Sequence, residues 1–100
     1  MVELLPVSDG LAVRIGSDGT HLMMDGGGKR REAAQFLAPA RVHRLNAVIA
    51  SHDDEDHVAG LITVVQTTRV DNLVVPVWLC SSSTAVPLLR AARRRGVHVI

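Results

Sequence analysis

Residues 51–60 contain the side chains with the clearest potential for chemistry in this sequence. Six titratable groups would repel one another at such short range unless they were solvated or neutralised by a cation. Imidazole nitrogen and carboxylate oxygen are a ligand set suited to zinc, manganese or iron. Alternate positions of an extended loop project to one side, with His57 opening the next helix, so the segment could serve two adjacent metal ions. The six consecutive side chains are His52, Asp53, Asp54, Glu55, Asp56 and His57.

A simpler interpretation is that this segment is an acidic helix N-terminus, because the helix dipole favours carboxylates there. That interpretation accounts for Asp54, Glu55 and Asp56. It does not account for His52 and His57 on either side of them, nor for an apolar strand that leads directly into the loop. Metal binding is therefore the favoured interpretation.

The elements that position this segment follow from apolar periodicity and from turn residues. A buried strand over 45–50 leads into the acidic loop, and an apolar helix over 58–67 follows it. Strands that alternate with helices after a hairpin predict a mixed α/β layered sheet. The other predicted elements are extended runs over 2–7, 11–15 and 21–24 with a turn at Ser17-Asp18-Gly19, a helix over 29–38, a strand over 72–77, a helix over 84–95 and a strand over 97–100.

Composition limits the classes of function. One hundred residues suffice for one small domain, and 47% hydrophobic with 21% charged residues is an ordinary globular balance. The formal net charge of +1 excludes a strong global field for nucleic acid, and 2% aromatic residues argue against base stacking. Two local basic runs, Lys29–Arg31 and Arg90 with Arg93–Arg95, could meet phosphate, but a solvated helix end is the simpler interpretation of the second.

The cellular compartment is predicted from what the sequence lacks. Cys80 is the single cysteine, which excludes an internal disulfide framework and fits a reducing compartment. No apolar run approaches the roughly 20 residues that span a bilayer, and the first residues do not form a signal peptide. We therefore expect a cytoplasmic protein with no membrane partner.

Two motifs resemble the metallo-β-lactamase-fold hydrolases. His52-x-Asp54-x-Asp56-His57 resembles their H-x-[HD]-x-D-H signature, and Asp25 before two glycines resembles their first motif. The resemblance covers nearly the whole chain and implies an α/β fold, namely the first half of an αββα sandwich with a mixed sheet and helices on its outer face. Residues 1–100 would then be a partial domain, because nothing after His57 matches the family's later ligands.

Asp54 directs the resemblance to one branch of this family, since most members have histidine at that position. An aspartate there is similar to the hydrolase domain of competence-type DNA-internalisation (ComEC-like) proteins. The resemblance implies that His52 and Asp54 bind a first metal ion and that Asp56 and His57 bind a second. Asp56 would also orient the nucleophile as the catalytic residue, and Asp25 would support the loop. Zinc is the expected ion, with manganese as an alternative because an oxygen ligand makes the first site harder.

The function implied by this resemblance is metal-dependent hydrolysis. A completed two-ion site would supply hydroxide at neutral pH and cleave an ester or phosphodiester bond of a small molecule or of DNA. The alternative is a truncated remnant or interaction module that keeps the fold without turnover. An isolated half-fold would expose an unpaired sheet edge and an apolar face, so we expect aggregation, a homodimer or a missing C-terminal half to cover them.

Overall fold

The structure is a computed structural model that describes residues 1–52 and 54–100, except for the side chains of Glu55 and Asp56. In that part of the chain, strands and helices alternate after an initial three-strand meander. The elements are β1 (Val2–Leu4), β2 (Val13–Ser17), β3 (Thr20–Met24), α1 (Glu32–Leu37), β4 (Arg44–Ile49), α2 (Glu55–Thr67), β5 (Arg69–Val74), a 3-10 helix (Val77–Ser81), α3 (Val86–Arg94) and β6 (His98–Val99).

The strands form one mixed sheet in the order β1-β2-β3-β4-β5-β6. The pairs β1–β2 and β2–β3 are antiparallel, whereas β3, β4, β5 and β6 pair in parallel. The predicted turn between β2 and β3 is confirmed: Asp18 and Gly19 both have positive φ, which is the backbone of a type I′ hairpin turn. The predicted mixed α/β sheet is therefore confirmed.

One face of the sheet carries the core. Met23, Val48 and Leu73 occupy neighbouring register positions on β3, β4 and β5, and all three are fully buried. They belong to the same buried cluster as Leu61 and Val65 of α2. Helices α1 and α3 both pack against α2, so the three helices form one layer over this face.

The alternate positions of the strands form the opposite face, which we call the open face. Most of these residues are apolar and only half-buried or exposed, although Asn72 is polar and Leu45 and Val70 are buried. An apolar surface spread over five strands is large for a soluble domain. The half-buried or exposed apolar residues of the open face are Val2, Leu4, Val13, Ile15, Leu22, Met24, Ala47, Ile49 and Val74.

One expected boundary differs at α2, namely its start. The helix begins at Glu55 instead of residue 58, so the acidic segment is not wholly an extended loop. The carbonyl of Asp54 accepts hydrogen bonds from the backbone N–H groups of His57 and Val58, which closes the first turn. Acidic residues are favoured there by the helix dipole, although apolar periodicity does not reveal them. Consequently positions 54 and 56 do not alternate along one extended strand.

The bounds of other elements also differ from those expected. The helix predicted over 29–38 begins at Glu32, and the helix predicted over 84–95 begins at Val86. The strand predicted over 72–77 instead spans 69–74, and the apolar residues after it form the 3-10 helix with Val77 and Trp78 exposed. Within the described residues, no helix is long and apolar enough to cross a membrane.

Candidate metal centre

Asp25 anchors the candidate site. It follows β3 at the carboxyl end of the parallel strands, with a φ of 59°, and its backbone N–H donates to the carbonyl of Ile49 at 2.9 Å. Aspartate tolerates this left-handed conformation better than most residues do. The side chain has no exposed surface, so its carboxylate depends on hydrogen bonds from the protein.

Those hydrogen bonds come from two residues that flank the acidic segment. The backbone N–H of Ser51 donates to Asp25 Oδ1 at 2.9 Å, and the Ser51 hydroxyl donates to Asp25 Oδ2. Nδ1 of His57 lies 2.9 Å from the same Oδ2 atom. A carboxylate can only accept, so the proton of neutral His57 is on Nδ1 and Nε2 becomes the nitrogen suited to a metal.

The hydroxyl of Ser51 also links Asp25 to His52. Nδ1 of His52 lies 2.9 Å from Ser51 Oγ. Because that hydroxyl uses its single proton on Asp25, it must accept from His52, and neutral His52 then also carries its proton on Nδ1. One buried carboxylate therefore sets the tautomer of both imidazoles, directly for His57 and through Ser51 for His52.

The glycines after Asp25 hold α2 against the loop. The N–H of Gly26 donates to the carbonyl of His57 at 2.8 Å, and the N–H of Gly60 donates to the carbonyl of Gly27 at 2.9 Å. A β-carbon on Gly60 would overlap the carbonyl of Gly26. Only a glycine pair lets the two segments approach this closely, and the approach fixes the position of His57.

The structure brings three potential metal ligands together. One ligand atom from each of Asp25, His52 and His57 lies within 4.8 Å of the others, and the two rings have centroids 5.1 Å apart. Two nitrogens on one zinc ion are about 3.3 Å apart, for bonds of about 2.05 Å at tetrahedral angles. The donor types therefore fit a divalent ion after a small closure. Asp25 already accepts three hydrogen bonds, so its geometry suits an orienting role more than direct ligation.

The other expected ligands lie outside this group. Asp54 precedes α2 and is exposed, and it does not join the three-residue group among the described side chains. The side chain of Asp56, expected to be both ligand and catalytic residue, lies outside the described residues, as does Asp53. The assignment of ligands stays a prediction. Sequence reasoning missed Ser51, which follows Ala50 at the carboxyl end of β4 and directly precedes the acidic segment.

Comparison with known proteins identifies the family. The sequence profile of the metallo-beta-lactamase superfamily matches residues 5–98. The chain belongs to the metallo-beta-lactamase superfamily. The expected family is therefore confirmed, and this fold implies binding of a divalent metal, for which Asp25, His52 and His57 are the candidate ligands.

Two relatives illustrate the similarity. The chain is 31% identical over 64 residues to ComE operon protein 3 of Bacillus subtilis (strain 168), an alignment that covers 64% of this chain and 8% of that protein. Its fold is similar to that of MEM-A1, a subclass B3 metallo-beta-lactamase from a soil metagenome library. The TM-score is 0.63 at 22% identity, covering 77% of this chain and 30% of that one. The chain therefore spans a minor part of each relative.

Proposed function

We propose that the chain contributes to a metal-dependent hydrolase that cleaves an ester or phosphodiester bond. The observation that supports this most directly is the buried carboxylate of Asp25, which orients the ring of His57 next to that of His52. A carboxylate–histidine pair of this kind commonly stands behind a metal ligand, because it fixes the tautomer and raises ligand basicity.

The chain's own residues would divide the work of such a site. His52 and His57 would bind the ion through Nε2, and Asp25 and Ser51 would keep the protons on both Nδ1 atoms. Asp54 and Asp56 are proposed as further ligands on the motif alone, with Asp56 also orienting the nucleophile. A divalent ion held there would activate water and polarise the scissile carbonyl or phosphoryl oxygen. We propose zinc, with two ions in a complete site, and manganese as the alternative.

The substrate is proposed from the relatives. The similarity to ComE operon protein 3 and the aspartate at position 54 favour a phosphodiester over a small-molecule ester. One fold supports many substrates, so this choice rests on the experiment below.

The test combines metal content with turnover. The purified protein is analysed for bound metal and assayed with a chromogenic phosphodiester, bis(p-nitrophenyl) phosphate, and with a chromogenic acetate ester. We expect turnover that a chelator abolishes and that zinc or manganese restores. His57→Ala should abolish it, whereas His43→Ala, which removes an exposed imidazole outside the site, should not.

Two results would contradict the proposal. Stoichiometric metal without turnover of either substrate would favour the alternative, a module that keeps the fold and part of the site without catalysis. Turnover that survives both the chelator and His57→Ala would place the chemistry elsewhere.

A further inference from the structure

Two adjoining cavities lie between α2 and α3, outside the candidate metal centre. The first has a volume of about 230 Å³ and the second about 200 Å³. Arg30, Ile62 and Pro87 line both cavities, so the two form one continuous groove. We call it the α2–α3 groove.

Three arginines from two separate segments converge on this groove. Arg30 lies in the turn before α1, and Arg90 and Arg94 lie one helical turn apart on α3, so they share a helix face. All three line the second cavity. The helix dipole accounts for arginines at the end of α3, but it does not account for Arg30 or for their convergence.

No acid neutralises these arginines within the described part of the chain. The described carboxylates that form ion pairs are those of Glu3, Asp25 and Asp71, which pair with other residues. No described carboxylate lines either cavity. Because the net charge of the whole chain is only +1, this is a local concentration of positive charge. Like charges on one groove repel, and a bound anion relieves that repulsion.

We propose that the α2–α3 groove binds a phosphate-bearing ligand. Guanidinium groups match phosphate oxygens in pairs of parallel hydrogen bonds, which makes arginine well suited to this role. The hydroxyl-bearing residues Ser83 and Thr84 line the first cavity and add neutral donors to the groove. The phosphate belongs either to a nucleic-acid backbone or to a free phosphate or nucleotide, since both present the same chemistry.

The chain provides a matched control for this proposal. Arg93 and Arg95 lie at the same end of α3, but neither lines the groove. The double variants Arg90→Ala/Arg94→Ala and Arg93→Ala/Arg95→Ala remove the same charge from the same helix end. All four arginines are exposed, so both variants should fold, which circular dichroism and thermal unfolding verify.

The experiment measures binding of a fluorescent single-stranded oligodeoxynucleotide and of pyrophosphate, both in the presence of a chelator. We expect the groove variant to bind about tenfold more weakly than the parent, and the control variant to lose less than about threefold. Removing two phosphate contacts should also flatten the slope of log affinity against log salt for the single-stranded oligonucleotide by about 1.4. Binding of both probes indicates a free-phosphate site, and binding of the oligonucleotide alone indicates a strand.

Equal losses in the two variants would overturn the proposal, because binding would then follow net charge alone. Failure of both probes to bind the parent protein would overturn it too. The chelator separates this test from the proposed hydrolase, since the groove can bind phosphate whether or not the metal centre supports turnover.

Discussion

Nδ1 of His57 lies 2.9 Å from Oδ2 of Asp25, although the two residues are 32 positions apart in the sequence. Asp25 is completely buried, and its remaining hydrogen bonds come from Ser51. The carboxylate thus connects the end of β3, the end of β4 and the first turn of α2. This connection makes the protonation of both imidazoles depend on residues that need not touch the metal.

Asp25→Asn should reverse the tautomer of His57 with little change in shape. The amide oxygen would still accept from the N–H of Ser51, and the amide NH₂ would then face Nδ1 of His57. That nitrogen would have to accept, which moves the proton of neutral His57 to Nε2. We expect metal affinity to fall by about 10- to 100-fold, measured by titration with zinc against a competing chelator. Long-range ¹H–¹⁵N spectra of the metal-free protein report the tautomer directly.

Asp25→Ala is the comparison for that variant. It removes every acceptor from three donors and places alanine in a left-handed conformation, so it should destabilise the fold as well. A protonated Nδ1 on neutral His57 in the asparagine variant would contradict the conclusion that the Asp25 carboxylate determines the tautomer of His57.

Ser51→Ala should affect His52 more than His57, because His57 keeps its own hydrogen bond to Asp25. The variant keeps the backbone N–H that donates to Asp25 Oδ1 and loses the hydroxyl, which donates to Asp25 Oδ2 and accepts from His52. Neutral His52 should then populate both tautomers, and metal affinity should drop about tenfold. Ser51→Thr retains a hydroxyl and should behave like the parent. Identical His52 signals in the alanine variant and the parent would show that the hydroxyl does not position this ring.

Gly60→Ala should destabilise the protein strongly. Its β-carbon would overlap the carbonyl of Gly26, so α2 would have to move away from the loop that follows β3. We expect a loss of more than about 2 kcal/mol in the free energy of unfolding, measured in urea. Gly96→Ala is the control: it has a φ of 69° but open space around it, so it should cost only about 1 kcal/mol. Equal losses would mean that the close approach of the segments is unimportant.

The local pattern of apolar and turn residues was sufficient to predict most strands of the sheet. The hairpin around Asp18 and Gly19 carries its own turn chemistry, and β4 is a mostly apolar segment that leads into the acidic residues, so both were predictable from sequence. The start of α2 at Glu55 was not, because a polar first turn leaves no apolar periodicity. The strand was expected to continue to Val77, yet it ends at Val74, and Val77 begins the 3-10 helix, in which Val77 and Trp78 are exposed.

The candidate site was predictable only in part, for a physical reason. The closeness of His52 and His57 follows from their spacing, whereas the contact between Asp25 and His57 arises from strand pairing in three dimensions. The family resemblance supplied Asp25 as a supporting residue. No local pattern indicates that the hydroxyl of Ser51 joins Asp25 to His52, because that depends on the parallel register of β3 and β4.

Glu32→Gln should flatten the acid dependence of stability. Hydrogen bonds from the backbone and the hydroxyl of Ser8 lower the pKa of Glu32 below its ordinary value of 4.5. Glu32 therefore binds its proton at a higher pH in the unfolded chain than in the folded protein. The stabilisation is present above about pH 4.5 and is lost as pH falls through the folded pKa. Urea midpoints measured from neutral pH to about pH 3 should fall less steeply in the variant. Ser8→Ala keeps the backbone donor and should be intermediate.

We propose that the open face mediates self-association when nothing else covers it. Val13, Ile15, Leu22 and Val74 are apolar and only half-buried, and Leu4 on the edge strand is 69% exposed. Burial of such a surface is favourable at roughly 25 cal/mol per Å² of apolar area, and the open face presents apolar side chains on β1 through β5, with the polar Asn72 as an interruption on β5. Sedimentation velocity on the isolated chain should therefore show concentration-dependent association.

A charge introduced into the open face distinguishes association through this face from association through the helix layer. Ile15→Lys places an ammonium group among Leu22 and Val2 across the strands, so it should shift the protein toward monomer. Arg93→Glu changes charge on the helix layer and should leave the association unchanged. A parent chain that sediments as a single monomer and melts cooperatively would contradict the proposal. In that case the half-buried side chains of the open face are sufficiently covered by their own neighbours.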